Sequence, residues 1–407
     1  MMTPLFNTLS VLSALAGMGL FVAVPGIPIF ATGHLLMAGA IHLFTAGALL
    51  SAAFQAEDRL WRKLYGWKAP FWLFREVIFP FQLVGVVTMV WGFLNQQTLA
   101  AHTGGHYLLP VAIVLSIAHG IVAAWRREPG RPLCLAAHLP GVGLAVTGSI
   151  GALLVMDART GNYGIYSNAT VLVHMMSGGF LFAIPLALLP GALFGGEKRG
   201  EGGEEKNPPW LNLPGALAKW YVATAVAAAG VMAMAFSTTA VSSMAVSVAA
   251  YAPRAALPGG LGLLGGLLLF IALPERLAWG PVLEKLERRA GWLAAGLLLL
   301  YTAIRLGRGV NMAEVLMLTK TGVIAVLAGV ALPEMFLHSL LAAHPEPREM
   351  GIRLGRGLFH AGTAALLAGQ YLSEPDAIQA GAVVWMTGLG VWVYRALVNF
   401  SIQRRTR

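Results

Sequence analysis

Apolar runs of about twenty residues recur along almost the whole chain, broken by short polar stretches. Twelve such runs are visible, at roughly 8–30, 33–54, 73–95, 106–125, 134–156, 168–194, 217–249, 257–273, 291–306, 311–340, 357–372 and 378–399. Each is long enough, at 1.5 Å per residue, to cross a hydrocarbon layer as a helix. Pro25, Pro28, Pro80, Pro140 and Pro185 fall in or near these runs, where membrane helices tolerate proline. The pattern predicts an all-α, polytopic transmembrane helix bundle.

Composition sharpens that reading. The 407 residues are 57% hydrophobic and only 11% charged, too little charge for a soluble domain of this size. The net charge of +10 does not indicate nucleic acid, because the basic residues sit in the connecting loops. The first apolar run, Leu5 to Phe30, lacks a basic leader and a small-residue cleavage site, so it is expected to be a retained helix. Cys134 is the single cysteine, which excludes disulfides within the chain, cysteine-ligated clusters and covalent c-type haem attachment.

Loop charges alternate. Arg59, Arg62, Lys63 and Lys68 lie in 55–72, Arg126, Arg127 and Arg131 in 126–133, and Lys198, Arg199 and Lys206 in 195–216. Basic residues recur in 274–290, 341–356 and the tail, whereas 96–105 and 373–377 hold none. Exceptions are Arg159, Arg254 and Arg308. The positive-inside rule then places both termini and the basic loops in the cytoplasm, with the protein in the cytoplasmic (inner) membrane. Residues 195–216 read as a charged linker between an N-terminal six-helix bundle, 1–194, and a C-terminal six-helix half, 217–407.

Ionisable residues inside such spans mark function by default. His34, His42, His106 and His174 fall toward the outer side, and His119, His138 and His360 toward the inner side. His102 is expected in an outer loop, and His338 and His344 at or beyond the inner end of the tenth span. The spacing suits two bis-histidine iron sites, one per leaflet. His119 with His138 would form the inner one, with His360 as substitute. His174 with His34, or with His42 or His106, would form the outer one. Ser177, Gly178 and Gly179 follow His174 and would let a flat macrocycle lie against the helix. The competing reading is a helix–helix contact through glycine, with His174 bonded to a neighbouring backbone. Any haem must be held without covalent links, and the expected group is haem b, one or two per chain. Arg254 and Arg305 are candidates for pairing with anionic groups such as propionates.

The stretch Val173-His174-Met175-Met176-Ser177-Gly178-Gly179-Phe180 resembles the Val-His-x-x-Ala-Ser-Gly-Tyr segment of cytochrome bd quinol oxidase subunit I. Gly33-His34 through Ala53, Phe71 to Phe93 and the Trp125-Arg126-Arg127 helix end are also similar, so the likeness spans about 31–250. It implies that His174 ligates haem b and that His34 stands where the oxygen-site haem ligand stands. The fourth span holds no glutamate, the Gly-Arg-Gln-Pro-Trp motif is absent, and Arg254-Ala255-Ala256 replaces Arg-x-Met. The resemblance therefore implies respiratory electron transfer without an oxygen-reducing site. The expected role is a haem b subunit exchanging electrons between the quinone pool and a partner subunit, a c-type cytochrome or an iron–sulfur protein. A twelve-helix secondary transporter and a haem-free quinone-site anchor are the alternatives.

Overall fold

The computed structural model describes residues 3–24, 34–67, 70, 72–131, 133, 327–340, 350–372 and 374–405, with 138, 141–145, 147–149, 174, 178 and 324 between them. The described residues are helical, with no strand among them. Five helices are long and apolar enough to cross a membrane: Leu5–Ala23, Ala38–Arg62, Leu73–Leu94, Leu99–Trp125 and Pro375–Val398. These are the first four expected spans and the last one. The spans expected at 217–249, 257–273 and 291–306, the 195–216 linker, Arg254 and Arg305 lie outside the described residues.

By contacts the chain divides into two units, Met1–Pro132 with Leu327–Arg407, and Leu133–Val326. In the first unit, α1 is Thr3–Ala23. Helix α2 covers 34–65, with α-helical ends, His34–His42 and Leu50–Tyr65, around a π-helical centre, Leu43–Leu49. Helix α3 covers 73–94 and α4 covers 98–125. Helix α5 is Leu332–Leu340, preceded by a π turn at Leu327–Ala331. Helices α6 and α7 are Met350–Leu372 and Pro375–Arg405.

The π turns have a cause in α3 and α4. Proline inside a helix lacks an N–H and crowds the carbonyl four residues back. In α3 the π turn Leu73–Ile78 ends just before Pro80, and in α4 the π turn Thr103–Leu108 ends just before Pro110. The widened turn accommodates the ring without breaking the helix.

Small residues then let helices approach. A Cβ at Gly104 would meet the Gly85 carbonyl and, at 2.5 Å, the Met89 nitrogen, so α3 and α4 touch backbone to backbone. Helices α6 and α7 do the same reciprocally: a Cβ at Gly362 would lie 2.6 Å from the Gly381 carbonyl, and one at Gly381 2.7 Å from the Gly362 carbonyl. With little hydrophobic drive between helices in lipid, such contacts supply the packing energy. Trp385 and Trp392 clasp Phe359, each ring centroid 4.8 Å from it. Both indoles donate to backbone carbonyls, Trp385 to Ala328 at 2.9 Å and Trp392 to Ile352 at 3.2 Å. Helix α7 closes onto α1 through Gln379, whose amide donates to the Val22 carbonyl at 2.9 Å.

Candidate functional site

Helix α2 continues well past Phe54, where the apolar run ends, and this builds the principal polar site. Leu50, Phe54, Glu57, Leu60, Trp61, Leu64 and Tyr65 are all buried, as one face of a 3.6-residue period requires. That face carries Glu57 into the bundle, 9% exposed, although its position reads as a loop from the sequence. The helix stops at Gly66, whose φ of 71° suits glycine and whose N–H bonds the Arg62 carbonyl at 3.0 Å.

The Glu57 carboxylate accepts from three donors. Trp61, one turn along the same helix, donates its indole N–H to Oε1 at 2.9 Å. From α4, His119 Nδ1 donates to the same oxygen at 3.2 Å and the Ser116 hydroxyl donates to Oε2. Ser116 and His119 are three residues apart, so they share a helix face. Beyond the end of α2, the Trp67 indole donates to His119 Nε2 at 3.1 Å, and Phe74 meets the imidazole edge-on at 5.1 Å. Arg126 lies over the Trp67 ring, 5.8 Å from its centroid, and the Glu128 N–H bonds the Tyr65 carbonyl at 3.0 Å.

The donors fix the protonation pattern. An indole N–H only donates, so His119 Nε2 accepts and the ring proton sits on Nδ1, facing Glu57. The result is a carboxylate–imidazole pair, closed by two tryptophans and a serine. It can hold or pass one proton along the Nδ1–Oε1 line. Adding a proton at Nε2 requires Trp67 to withdraw.

The other expected histidines are placed as follows. His42 donates from Nδ1 to the Ala38 carbonyl at 2.7 Å and packs against Phe93, 5.1 Å between centroids. His102 is helical and 4% exposed, not in a loop, because α4 begins at Thr98. Its ring stacks on His106 at 4.7 Å, one turn on, and both meet Tyr107 edge-on. His34 opens α2, and His360 lies half-buried on α6 beside Phe359. His338 falls in α5, and His344 lies outside the described residues. His119 belongs to the first unit and His138 to the second, where His138 is half-buried.

Within the second unit, His174 donates from Nδ1 to the Thr147 carbonyl at 2.9 Å. Thr147 also touches the Gly178 position, where a Cβ would lie 3.3 Å from its methyl carbon. A helix contact through glycine and a backbone bond to His174 are therefore both present. Because a carbonyl only accepts, Nδ1 carries the proton at this contact. A backbone acceptor of this kind is what fixes the ring of a histidine that binds a metal through its other nitrogen. No group of three or more histidine, cysteine or carboxylate side chains suited to a metal ion occurs among the described residues. No protein-family model matches the sequence, and comparison with curated proteins gives no match.

Proposed function

We propose that the chain is a haem b-carrying membrane subunit of a respiratory complex, exchanging electrons between the quinone pool and a partner redox protein. The observation that carries this reading is the His174–Thr147 bond, which ties down Nδ1, so that Nε2 of His174 would be the atom to hold the haem iron. Haem, when bound there, supplies reversible one-electron transfer. The likeness of 173–180 to the cytochrome bd segment supports the same assignment. Quinone chemistry moves protons with electrons, and the Glu57–His119 pair is a proton-holding group among the described residues.

In this reading twelve helices cross the cytoplasmic membrane, both termini are cytoplasmic, and a c-type cytochrome or iron–sulfur subunit completes the complex. The chain does not reduce oxygen alone, because the glutamates and the Gln-Pro-Trp motif of the oxidases are missing. A second reading, a proton-coupled carrier without haem, is favoured by the closure of the His119 ring on both sides by Glu57 and Trp67.

The visible spectrum of the purified protein tests the proposal. A b-type reduced-minus-oxidised spectrum without oxygen consumption or a chlorin haem supports the electron-transfer subunit. A colourless protein that takes up solute with protons into liposomes supports the carrier. Oxygen reduction by the isolated chain would overturn both.

A further inference from the structure

The interface of α1, α2 and α3 buries amide atoms that have no hydrogen-bond partner among the described residues. Gln82 on α3 is 0% exposed, and its amide nitrogen donates to the Ala46 carbonyl and to Ser51 Oγ, both at 2.9 Å. The Ala46 carbonyl can only accept, so the nitrogen must face it and the orientation of the amide is settled. Gln82 Oε1 then points elsewhere and meets no donor among the described residues. Ser51 has spent its own hydrogen on the Gly47 carbonyl at 2.6 Å.

One turn further along the same face, Gln55 is 8% exposed, and neither its oxygen nor its nitrogen has a partner among the described residues. Across the interface, Asn7 Oδ1 is in the same condition. The register of α1 on α2 places it at this level. Ser10 donates to the Ala48 carbonyl at 2.7 Å, and Phe6 packs edge-on against Phe54 at 6.0 Å and Phe79 at 5.3 Å. Asn7 lies between those two contacts.

The donor count identifies what can satisfy these groups. Three oxygens need donors and one amide nitrogen needs an acceptor, so the complement must both donate and accept. A quinone offers only acceptors and fails. Water donates two hydrogens and accepts two, and buried waters bridge groups of this kind. Bilayer lipid cannot serve instead, so the bonds must be made inside the bundle.

We propose that α1, α2 and α3 enclose a water-filled half-channel. It runs from Gln55, on the side of the bundle end that carries Trp67, past Asn7, and ends at Gln82 and Ser51. Gln82 lies nine residues into the span that starts at Leu73, about 14 Å along the helix. That is near the middle of a hydrocarbon layer about 30 Å thick. The blind end is closed where Ser13 packs on Gly47, a Cβ on which would lie 2.5 Å from Ser13 Oγ. The π-helical centre of α2 provides the carbonyls of Ala46, Gly47 and Ala48 that hold the polar wall. This inference is independent of haem binding at His174.

X-ray hydroxyl-radical footprinting of the full chain in lipid nanodiscs tests it, because bound water generates radicals beside otherwise inaccessible rings. Phe6 and Phe54, 1% and 2% exposed, are expected to be oxidised several-fold faster than Phe336 and Trp392, both 0% exposed. The excess is expected to vanish in the Gln55→Leu, Gln82→Met double variant. Equal rates at all four rings in the wild-type protein would overturn the half-channel, and this comparison needs no variant to fold. A double variant that melts higher while Phe6 and Phe54 keep their rates would overturn it too, since the amides would then have been merely unsatisfied.

Discussion

His119 donates from Nδ1 to Oε1 of Glu57 across 3.2 Å, joining α4 to a stretch of α2 that the charge pattern alone would assign to a loop. Both side chains are buried, so neither partner is readily replaced by water when the other is removed. A double-mutant cycle with Glu57→Gln and His119→Ala should therefore give a coupling energy of about 0.5–3 kcal/mol. Unfolding by SDS titration in mixed micelles measures it. Strictly additive effects would show that the two groups are neighbours without being partners.

Trp67 sets the tautomer of that histidine from outside the helix pair. Trp67→Phe keeps an aromatic ring for Arg126 but removes the N–H, at an expected cost of about 1 kcal/mol. The imidazole nitrogens of His119, labelled with 15N, should report a single Nδ1–H tautomer in the wild-type protein and a mixture in the variant. The same single tautomer in both would mean that Glu57 alone orders the ring.

Glycine contacts between helices should be sharply position-dependent. Gly381→Ala places a methyl group against the Gly362 carbonyl and should cost about 1–3 kcal/mol through overpacking. Gly390→Ala, on the same helix with nothing within 4 Å, should be neutral or stabilising by up to about 1 kcal/mol through helix propensity. Thermal melts of the two variants should thus move in different directions.

The proposed orientation is accessible through the single cysteine. In a Cys134→Ser background, Gly202→Cys in the 195–216 loop should resist a membrane-impermeant maleimide in intact spheroplasts, whereas Asn162→Cys should react. The opposite labelling would invert the bundle and place the Glu57–His119 pair at the outer face.

What was legible in the sequence follows from what each pattern measures. Long apolar runs located α3 and α7 well and α1 with its ends drawn several residues too late, since length and hydropathy define a crossing helix but not its boundaries. The cluster Glu57, Asp58, Arg59, Arg62 and Lys63 reads as a loop and puts the end of the second span at Phe54, whereas α2 runs on to Tyr65. The apolar residues Phe54, Leu60, Trp61, Leu64 and Tyr65 kept a helical period through that cluster, and following it would have brought Glu57 inward. Starting α4 at His106 had a similar cause, because the polar Thr103-Gly104-Gly105 looks like a turn yet forms a π-helical segment against α3. The ring partners of the histidines are not readable from the sequence. Trp67 reaches His119 from 52 positions away, through a loop contact that no local pattern encodes.

The central claim rests on His174, and the haem-to-protein ratio of a His174→Ala variant tests it most directly. Pyridine haemochrome analysis of protein purified from haem-supplemented cells should show b-type haem in the wild-type chain. The variant should lose one haem per chain while its far-ultraviolet helical spectrum stays unchanged. An unaltered haem content in the variant, or no haem in the wild-type chain, would contradict the assignment and leave the His174–Thr147 bond as helix packing alone.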